Sequence, residues 1–322
     1  MDTIEKAIER LSRQGGNVPV ETPVPAGATE LHASGPLSET PAVDPIVAAE
    51  ARVPAKQEPK NREPATILHG VKRTRRSVTL DLQRIRDAGM VVPDGNRSRI
   101  KEEYRHVKRP LLLNASGKGA AVRENPNVIM VTSSQPGEGK TFTSINLALS
   151  IAAERDRTVL LVDADVLKPT VSKFFGVETG QGLVDFLIDD TLDLADVLVE
   201  TSVPSLTLLP AGNGHHLSTE LLGSESMHAL VKEMSTRYSD RIIIMDSPPL
   251  LATTEARVLA GLVGQLIMVV EAERTRQSMV KEALALLEPD MTVGFVLNKS
   301  RGTLGNDYYG PYYYAYGEAG RE

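Results

Sequence analysis

The stretch that decides the fold is NVIMVTSSQPGEGKTFT, residues 127–143. It opens with four apolar residues, continues as a glycine-containing loop, and closes with Lys140 and Thr141 before a helical pattern of apolar residues begins. A strand, a loop whose N–H groups turn toward one anion, and a helix N-terminus together form a phosphate-binding loop. The consensus pattern has glycine where this chain has Ser134. The order of strand, loop and helix nevertheless predicts nucleotide binding.

We expect the nucleotide to be held by this loop and by one residue far along the chain. The ammonium of Lys140 suits the outer phosphates, and the hydroxyl of Thr141 suits a magnesium ion. Asn298 ends the last predicted strand and is a candidate adenine contact, and Arg301 replaces the Asp of a guanine-reading NKxD motif, which favours ATP. The predicted cofactor-binding residues are Gln135, Pro136, Gly137, Glu138, Gly139, Lys140, Thr141, Phe142 and Asn298.

The composition limits the class of protein. None of the 322 residues is cysteine, which excludes disulfides and thiolate metal sites and fits a reducing compartment. The net charge of -6 gives no reason to expect nucleic acid as a partner. No apolar run has the length of a transmembrane helix, and the first 14 residues are too charged for a signal peptide, so we expect a cytoplasmic protein.

The chain is uneven along its length. Nine of its 20 prolines lie within residues 15–65, and the first aromatic residue of the Phe, Tyr and Trp group is Tyr104. A stretch so poor in large apolar groups cannot offset the entropy of ordering. The predicted segments are a short amphipathic docking helix (residues 1–14), a disordered Pro-rich linker (15–75), a basic helical segment with a second helix that leads into the core (76–110), a P-loop domain (111–302) and a tyrosine-rich tail (303–322).

Apolar strands alternate with helical patterns after the phosphate loop. Continuous apolar strands separated by helices are typical of a parallel sheet that is covered on both faces. We therefore expect an α/β fold, a P-loop NTPase with a mostly parallel sheet and helices on both faces. The predicted strands are 159–162, 206–209, 242–245, 266–270 and 293–297, and the predicted helices include 226–238, 253–262 and 275–287.

Carboxylates end two of these strands. Asp163 and Asp165 follow one strand and Asp246 ends another, at the edge where parallel sheets bind ligands. A carboxylate beside apolar strand residues is unfavourable unless it holds a metal ion or metal-bound water. The predicted catalytic residues are Lys140, Asp163, Asp165 and Asp246, and the predicted magnesium residues are Thr141, Asp165 and Asp246. Asp163 is the candidate general base, and its role is exchangeable with that of Asp165.

Six of the eight tyrosines lie near the C-terminus. Glycine and proline between them argue against a regular strand. Stacking on single-stranded nucleic acid would need interleaved Arg or Lys, and residues 308–319 contain neither. Packing of the tail over the core is one interpretation and a functional role of its tyrosines is the other. These tyrosines are Tyr308, Tyr309, Tyr312, Tyr313, Tyr314 and Tyr316.

From about Ser77 onward the chain resembles the bacterial tyrosine kinases, a family built on a P-loop ATPase fold. The stretches SSQPGEGKT (133–141), VLLVDADVLKP (159–169) and IIIMDSPP (242–249) look like the family's Walker A, A′ and B motifs. EEYRHVK (102–108) looks like its oligomerisation helix, with Glu102, Arg105 and Lys108 at the motif positions, although Lys108 replaces an arginine. The opening MDTIEKAIERL and the stretch KRPLLLNA resemble the subgroup found with exosortase and exopolysaccharide loci.

The resemblance implies a protein-tyrosine autokinase that uses ATP and Mg²⁺ to phosphorylate its own tail between subunits of a ring. It implies regulation of exopolysaccharide synthesis or export, without nucleic acid and without a transmembrane segment of its own. A membrane-embedded activator of the polysaccharide co-polymerase type is then expected to recruit it to the inner face of the membrane. Two alternatives stay open: a MinD/ParA-like ATPase, whose signature lysine is Gln135 here, and a non-catalytic ATP-sensing regulator of a polysaccharide assembly complex.

Overall fold

A computed structural model of the chain describes residues 76–120, 123–177, 180–238 and 240–300. The predicted docking helix, the whole of the predicted linker and the tyrosine tail lie outside the described residues. Within them, one sheet contains eight strands. These are β1 (Arg76–Val78), β2 (Val128–Ser133), β3 (Thr158–Asp163), β4 (Val199–Thr201), β5 (Leu206–Leu209), β6 (Arg241–Asp246), β7 (Gln265–Glu271) and β8 (Thr292–Asn298).

The sheet is mostly parallel, which confirms the predicted fold class. Its strand order is β1-β4-β5-β3-β6-β2-β7-β8. The six strands from β5 to β8 in this order all run in one direction. Strand β4 is antiparallel to β5, and β1 is parallel to β4. Strands β3, β6, β2 and β7 are the buried centre, so their carboxyl ends meet at one edge of the sheet.

Helices cover both faces of the sheet. They are α1 (Leu82–Asp87), α2 (Arg99–Ala115), α3 (Lys140–Ala152), α4 (Val171–Phe175), α5 (Leu183–Ile188), α6 (Leu194–Val197), α7 (Ser218–Leu222), α8 (Glu225–Arg237), α9 (Glu255–Ala260) and α10 (Gln277–Leu284). Helices α1 to α4 pack into one hydrophobic cluster, and α5 to α10 pack into another. Strand β2 sends Val128 and Met130 into the second cluster and Ile129 and Val131 into the first, because side chains alternate along a strand.

Helix α2 runs across the boundary that the sequence predicted between residues 110 and 111. Pro110 lies inside it, and Tyr104 and Leu111 are buried in the same cluster as helix α3. Burial raises the pKa of the Tyr104 phenol to about 12. Strand β1, at residue 76, is also part of the main sheet. The basic segment is therefore continuous with the nucleotide-binding core.

No helix in the described ranges combines the length and the apolar character that crossing a bilayer requires.

Candidate active site

The phosphate loop connects β2 to α3. Gly137 and Gly139 have φ angles of 87° and 101°, a conformation that residues with a Cβ rarely adopt. A Cβ on Gly139 would also collide with the side-chain amide of Asn298, which would have to move away from the loop. Lys140 is the first residue of α3 and is 8% exposed. The loop therefore places backbone N–H groups, a helix N-terminus and an ammonium group at one point.

Asp246, at the end of β6, is bound to the helix that follows the loop. Its Oδ2 accepts a hydrogen bond from Thr141 Oγ1 at 2.7 Å, and its Oδ1 accepts one from Ser144 Oγ at 2.9 Å. Burial raises the pKa of Asp246 to about 6, against the opposing effect of these two hydroxyls and of the Lys140 charge. The structure thus brings together Thr141 and Asp246, two of the three predicted magnesium residues.

Asp163, at the end of β3, is the least satisfied carboxylate of the site. It is fully buried and is the Cα partner of Asp246 in the neighbouring strand. Its Oδ2 accepts hydrogen bonds from the backbone N–H groups of Val171, at 3.1 Å, and Ser172. Its Oδ1 is buried without a partner. Burial, followed by the charge of Asp246, raises the pKa of Asp163 to about 8.

Asp165 lies in the loop after β3 and is half-buried. Its Oδ1 accepts a hydrogen bond from the backbone N–H of Lys168 at 3.2 Å. Burial raises its pKa, and the Lys168 N–H and the Lys140 charge oppose that shift. The four predicted catalytic residues therefore lie at one edge of the sheet, as the strand pattern indicated.

A hydrated divalent cation fits this donor set. The charges of Asp163, Asp165 and Asp246 act on one another, and the buried Oδ1 of Asp163 has no hydrogen-bond partner in the described part of the chain. No cluster of three or more His, Cys, Asp or Glu residues able to enclose a metal ion occurs in the described part of the chain. Magnesium suits such an open site, because it keeps several waters and takes oxygen ligands from phosphates.

Asn298 lies against the phosphate loop. Its Nδ2 donates a hydrogen bond to the backbone oxygen of Glu138 at 2.9 Å. Glu138 itself is buried, and its Oε2 accepts from the Gln135 N–H at 2.8 Å. The predicted cofactor residues of the loop and Asn298 therefore form one connected group, in which the Asn298 amide contacts the backbone of the loop.

The predicted oligomerisation residues divide into two kinds. Glu102 and Arg105 form an ion pair on the surface of α2 at 2.7 Å. Lys108 departs from the expectation of an exposed face, because it is 6% exposed and donates to the Ser150 backbone oxygen at 2.6 Å. It also pairs with Glu154. Its charge is thus compensated within the chain, at the C-terminal end of α3.

Three residues of the site were missed from the sequence. Ser144 binds Asp246, Thr170 Oγ1 lies 2.8 Å from Thr141 Oγ1, and Thr275 donates to the buried carboxylate of Glu138. Ser144 lies three residues after Thr141 on α3, and this spacing, which puts both hydroxyls on one helix face, was the available signal. Thr170 and Thr275 lie in connections whose paths the sequence does not indicate.

A strand, phosphate loop and helix beside paired strand-end carboxylates define a P-loop nucleotide-binding protein. A family profile described as an AAA domain matches residues 126–282. Tyrosine-protein kinase YwqD of Bacillus subtilis is 30% identical over 210 residues, which are 64% of this chain and 84% of YwqD. Tyrosine-protein kinase CpsD of Streptococcus agalactiae is 32% identical over 180 residues, 55% of this chain and 75% of CpsD.

A solved structure agrees with these relatives. The crystal structure of the VpsO kinase domain superposes with a TM-score of 0.51 at 31% identity, covering 63% of this chain and all of that domain. The chain belongs to the bacterial tyrosine-protein kinases, as its motifs indicated. It is an enzyme of the protein-tyrosine kinase class, and ATP is its phosphoryl donor.

Proposed function

We propose that the chain is an autokinase that transfers phosphoryl groups from ATP to its own C-terminal tyrosines, acting between subunits. The observation that carries the proposal is the contact of Thr141 with Asp246 beside the buried Asp163, next to the Lys140 loop. This arrangement supplies the positioning and charge neutralisation on which phosphoryl transfer mainly depends.

In this proposal each residue of the site has a distinct task. The loop residues 135–142 bind the phosphates through their N–H groups, and Lys140 neutralises charge on the outer phosphates. Asp163 accepts the proton of the tyrosine hydroxyl. Its raised pKa makes the ionised carboxylate a stronger base than that of an ordinary aspartate. Asn298, whose Nδ2 is bound to the Glu138 backbone oxygen, is proposed as a contact of the adenine base.

We assign magnesium to Thr141, Asp165 and Asp246. Asp246 orients the Thr141 hydroxyl, and Asp165 is the half-buried carboxylate with access to bound water. When bound, magnesium neutralises charge on the phosphate oxygens and fixes their orientation. Without magnesium, the ionised carboxylates of Asp163 and Asp246 repel each other. A bound metal ion would reduce this repulsion and so stabilise the folded protein.

The proposed acceptors are the six tyrosines from Tyr308 to Tyr316. At roughly 3.3 Å per residue, the chain from Arg301 to Tyr316 spans at most about 50 Å, which is enough to enter the site of a neighbour in a ring. Each phosphate adds roughly -1.5 to -2 charges, so six add about -9 to -12. That charge would expel the tail from the neighbouring site and loosen the ring.

The surface pair of Glu102 and Arg105 is the proposed ring contact of α2. A short docking helix at residues 1–14 and the linker at residues 15–75 are proposed to connect the kinase domain to a membrane-embedded activator at the inner face of the membrane. The biological output is the proposed regulation of exopolysaccharide synthesis or export. The similarity to bacterial tyrosine-protein kinases supports this assignment.

A mixing experiment tests transfer between subunits. Lys140→Ala protein with an intact tail is combined with active protein truncated after Thr303, so neither partner can label itself. Phosphotyrosine on the Lys140→Ala chain, at a rate that rises with concentration, is the expected result. If the mixture stays unlabelled while full-length protein labels at a rate independent of dilution, transfer occurs within one chain. A truncated Lys140→Ala protein is the matched control that detects labelling outside the tail.

A further inference from the structure

Two residues at the end of β8 hold the outer side of the phosphate loop. Lys299 Nζ donates to the Gly137 backbone oxygen at 2.7 Å, and Asn298 Nδ2 donates to the Glu138 backbone oxygen at 2.9 Å. Both contacts join the loop to a strand that lies more than 150 residues later in the chain. They engage backbone oxygens, the groups that a phosphate cannot use.

The contacts fix the directions of two peptide groups. In a trans peptide, the C=O of one residue and the N–H of the next point in opposite directions. Because Lys299 holds the Gly137 oxygen outward, the Glu138 N–H points to the inner side of the loop. Asn298 binds the Glu138 oxygen, so the N–H of Gly139, in the same peptide group, also points to the inner side of the loop. Two of the N–H groups that face the phosphates are thus oriented before a nucleotide arrives.

Lys299 is itself held in place. Its φ angle is 57°, a left-handed conformation that is unfavourable for a residue with a Cβ. Its ammonium also pairs with Glu271 Oε2 at 3.0 Å. The hydrogen bond from Lys299 lowers the pKa of the Glu271 carboxyl. The surrounding contacts therefore maintain a backbone conformation that an unconstrained lysine would leave.

A second connection reaches the loop from β7. Thr275 donates its hydroxyl to the buried carboxylate of Glu138, and its Oγ1 accepts from the Glu271 N–H at 3.1 Å. Glu138 Oε2 accepts from the Gln135 N–H. Glu271 therefore lies between the two connections, since its side chain binds Lys299 and its backbone binds Thr275.

We propose that Lys299 is a positioning residue that orients the phosphate loop for ATP, with Glu271 as the carboxylate that positions Lys299. This proposal rests on the assignment of the loop to the ATP phosphates. Lys299 contacts the loop before ATP binds. The contact is therefore expected to stabilise the bound substrate and the transition state equally. Lys299 therefore sets nucleotide affinity and has little effect on the rate of transfer once ATP is bound.

The test is nucleotide binding by Lys299→Met, which keeps the alkyl chain and the backbone preference of lysine and removes the donor. A fluorescent ADP analogue is titrated against the full chain, and kcat and KM for ATP are measured separately. We expect the Kd for ADP and the KM for ATP to rise about tenfold, with kcat within threefold of the original. Lys299→Arg, which retains a donor and the pair with Glu271, is expected to restore most of the affinity.

Two further variants complete the design. Glu271→Gln is expected to weaken binding less than Lys299→Met, and the double variant is expected to bind no more weakly than Lys299→Met alone, because both act through one contact. Lys232→Met, on the exposed surface of α8, is the matched control and should leave Kd unchanged. An unchanged Kd in Lys299→Met, with or without a lower Tm, overturns the positioning role.

Binding of the ADP analogue by Lys140→Ala and by Lys299→Met distinguishes the role of the loop from the role of Lys299. If Lys140→Ala still binds the ADP analogue at the original affinity, the assignment of the loop is wrong. If Lys140→Ala loses binding and Lys299→Met keeps it, the loop assignment stands and the positioning role of Lys299 is overturned.

Discussion

Asp163 and Asp246 are Cα partners at the ends of two adjacent parallel strands, and both carboxyl groups are buried. Asp246 accepts hydrogen bonds from two side-chain hydroxyls, whereas Asp163 has a buried carboxylate oxygen without a hydrogen-bond partner. Their environments raise the pKa of Asp163 to about 8 and that of Asp246 to about 6. Two neighbouring carboxyl groups therefore differ in how strongly each holds its proton.

The nucleotide-free protein is expected to lose stability as the pH rises from about 4 to 8. An unfolded aspartate has a pKa of about 3.9, so in this range the folded state binds more protons than the unfolded state. The free energy of unfolding then falls with rising pH. Thermal denaturation in EDTA at a series of pH values measures the slope. Asp163→Asn should reduce the dependence of stability on pH and raise Tm at pH 8. Asp156→Asn, at an exposed position, should change neither. Equal slopes for Asp163→Asn and the original protein would contradict the prediction.

Asp246→Asn is expected to keep the fold and lose at least a hundredfold in tyrosine phosphorylation. The amide is nearly isosteric but carries no charge for magnesium. Labelling of the tail at increasing magnesium concentration is the measurement, with circular dichroism as the check on folding. Full activity at ordinary magnesium would show that another residue holds the metal.

Gly139→Ala is expected to weaken nucleotide binding more than Gly137→Ala. Both glycines have positive φ, so each substitution costs about 1–2 kcal/mol in backbone strain. Only the methyl group at position 139 also collides with the Asn298 amide, since nothing lies within 4 Å of a Cβ at Gly137. Titration with ADP compares the two variants directly. Equal affinities would mean that the Asn298 side chain moves freely away from the loop.

Lys108→Met and the double variant Glu102→Ala/Arg105→Ala should separate folding from assembly. Removing the buried ammonium leaves the Ser150 oxygen unpaired, and we expect a loss of about 1–3 kcal/mol in stability. The exposed pair of Glu102 and Arg105 contributes little to stability, so its removal should lower self-association at nearly unchanged Tm. Thermal denaturation and light scattering measure the two effects. Intact oligomers in the double variant would remove this pair from the interface.

Much of the fold could be predicted because the central strands are continuous apolar runs. The strand predicted at 206–209 has the observed bounds Leu206–Leu209, and the helix predicted at 226–238 is observed as Glu225–Arg237. Strands β1 and β4 were missed because three residues carry too little pattern to distinguish a strand from a loop.

The candidate site was predictable where residues are near in sequence or end a strand, and not where they meet through tertiary packing. Asp163 and Asp246 follow from the rule that parallel strands end at one edge. The burial of Lys108 depends on where α3 ends, and the contact between Lys299 and Gly137 depends on β8 lying beside β7. No local pattern contains that information.

Helix α3 connects the phosphate loop to the contact with helix α2. Its first residue is Lys140, and near its last turn the Ser150 oxygen accepts from Lys108 of α2. At about 1.5 Å per residue, its 13 residues form a rigid rod of roughly 20 Å. If a neighbouring subunit contacts α2, as proposed above, a displacement of α2 would be transmitted along this rod to the phosphate loop, and assembly would then change the geometry of the nucleotide site.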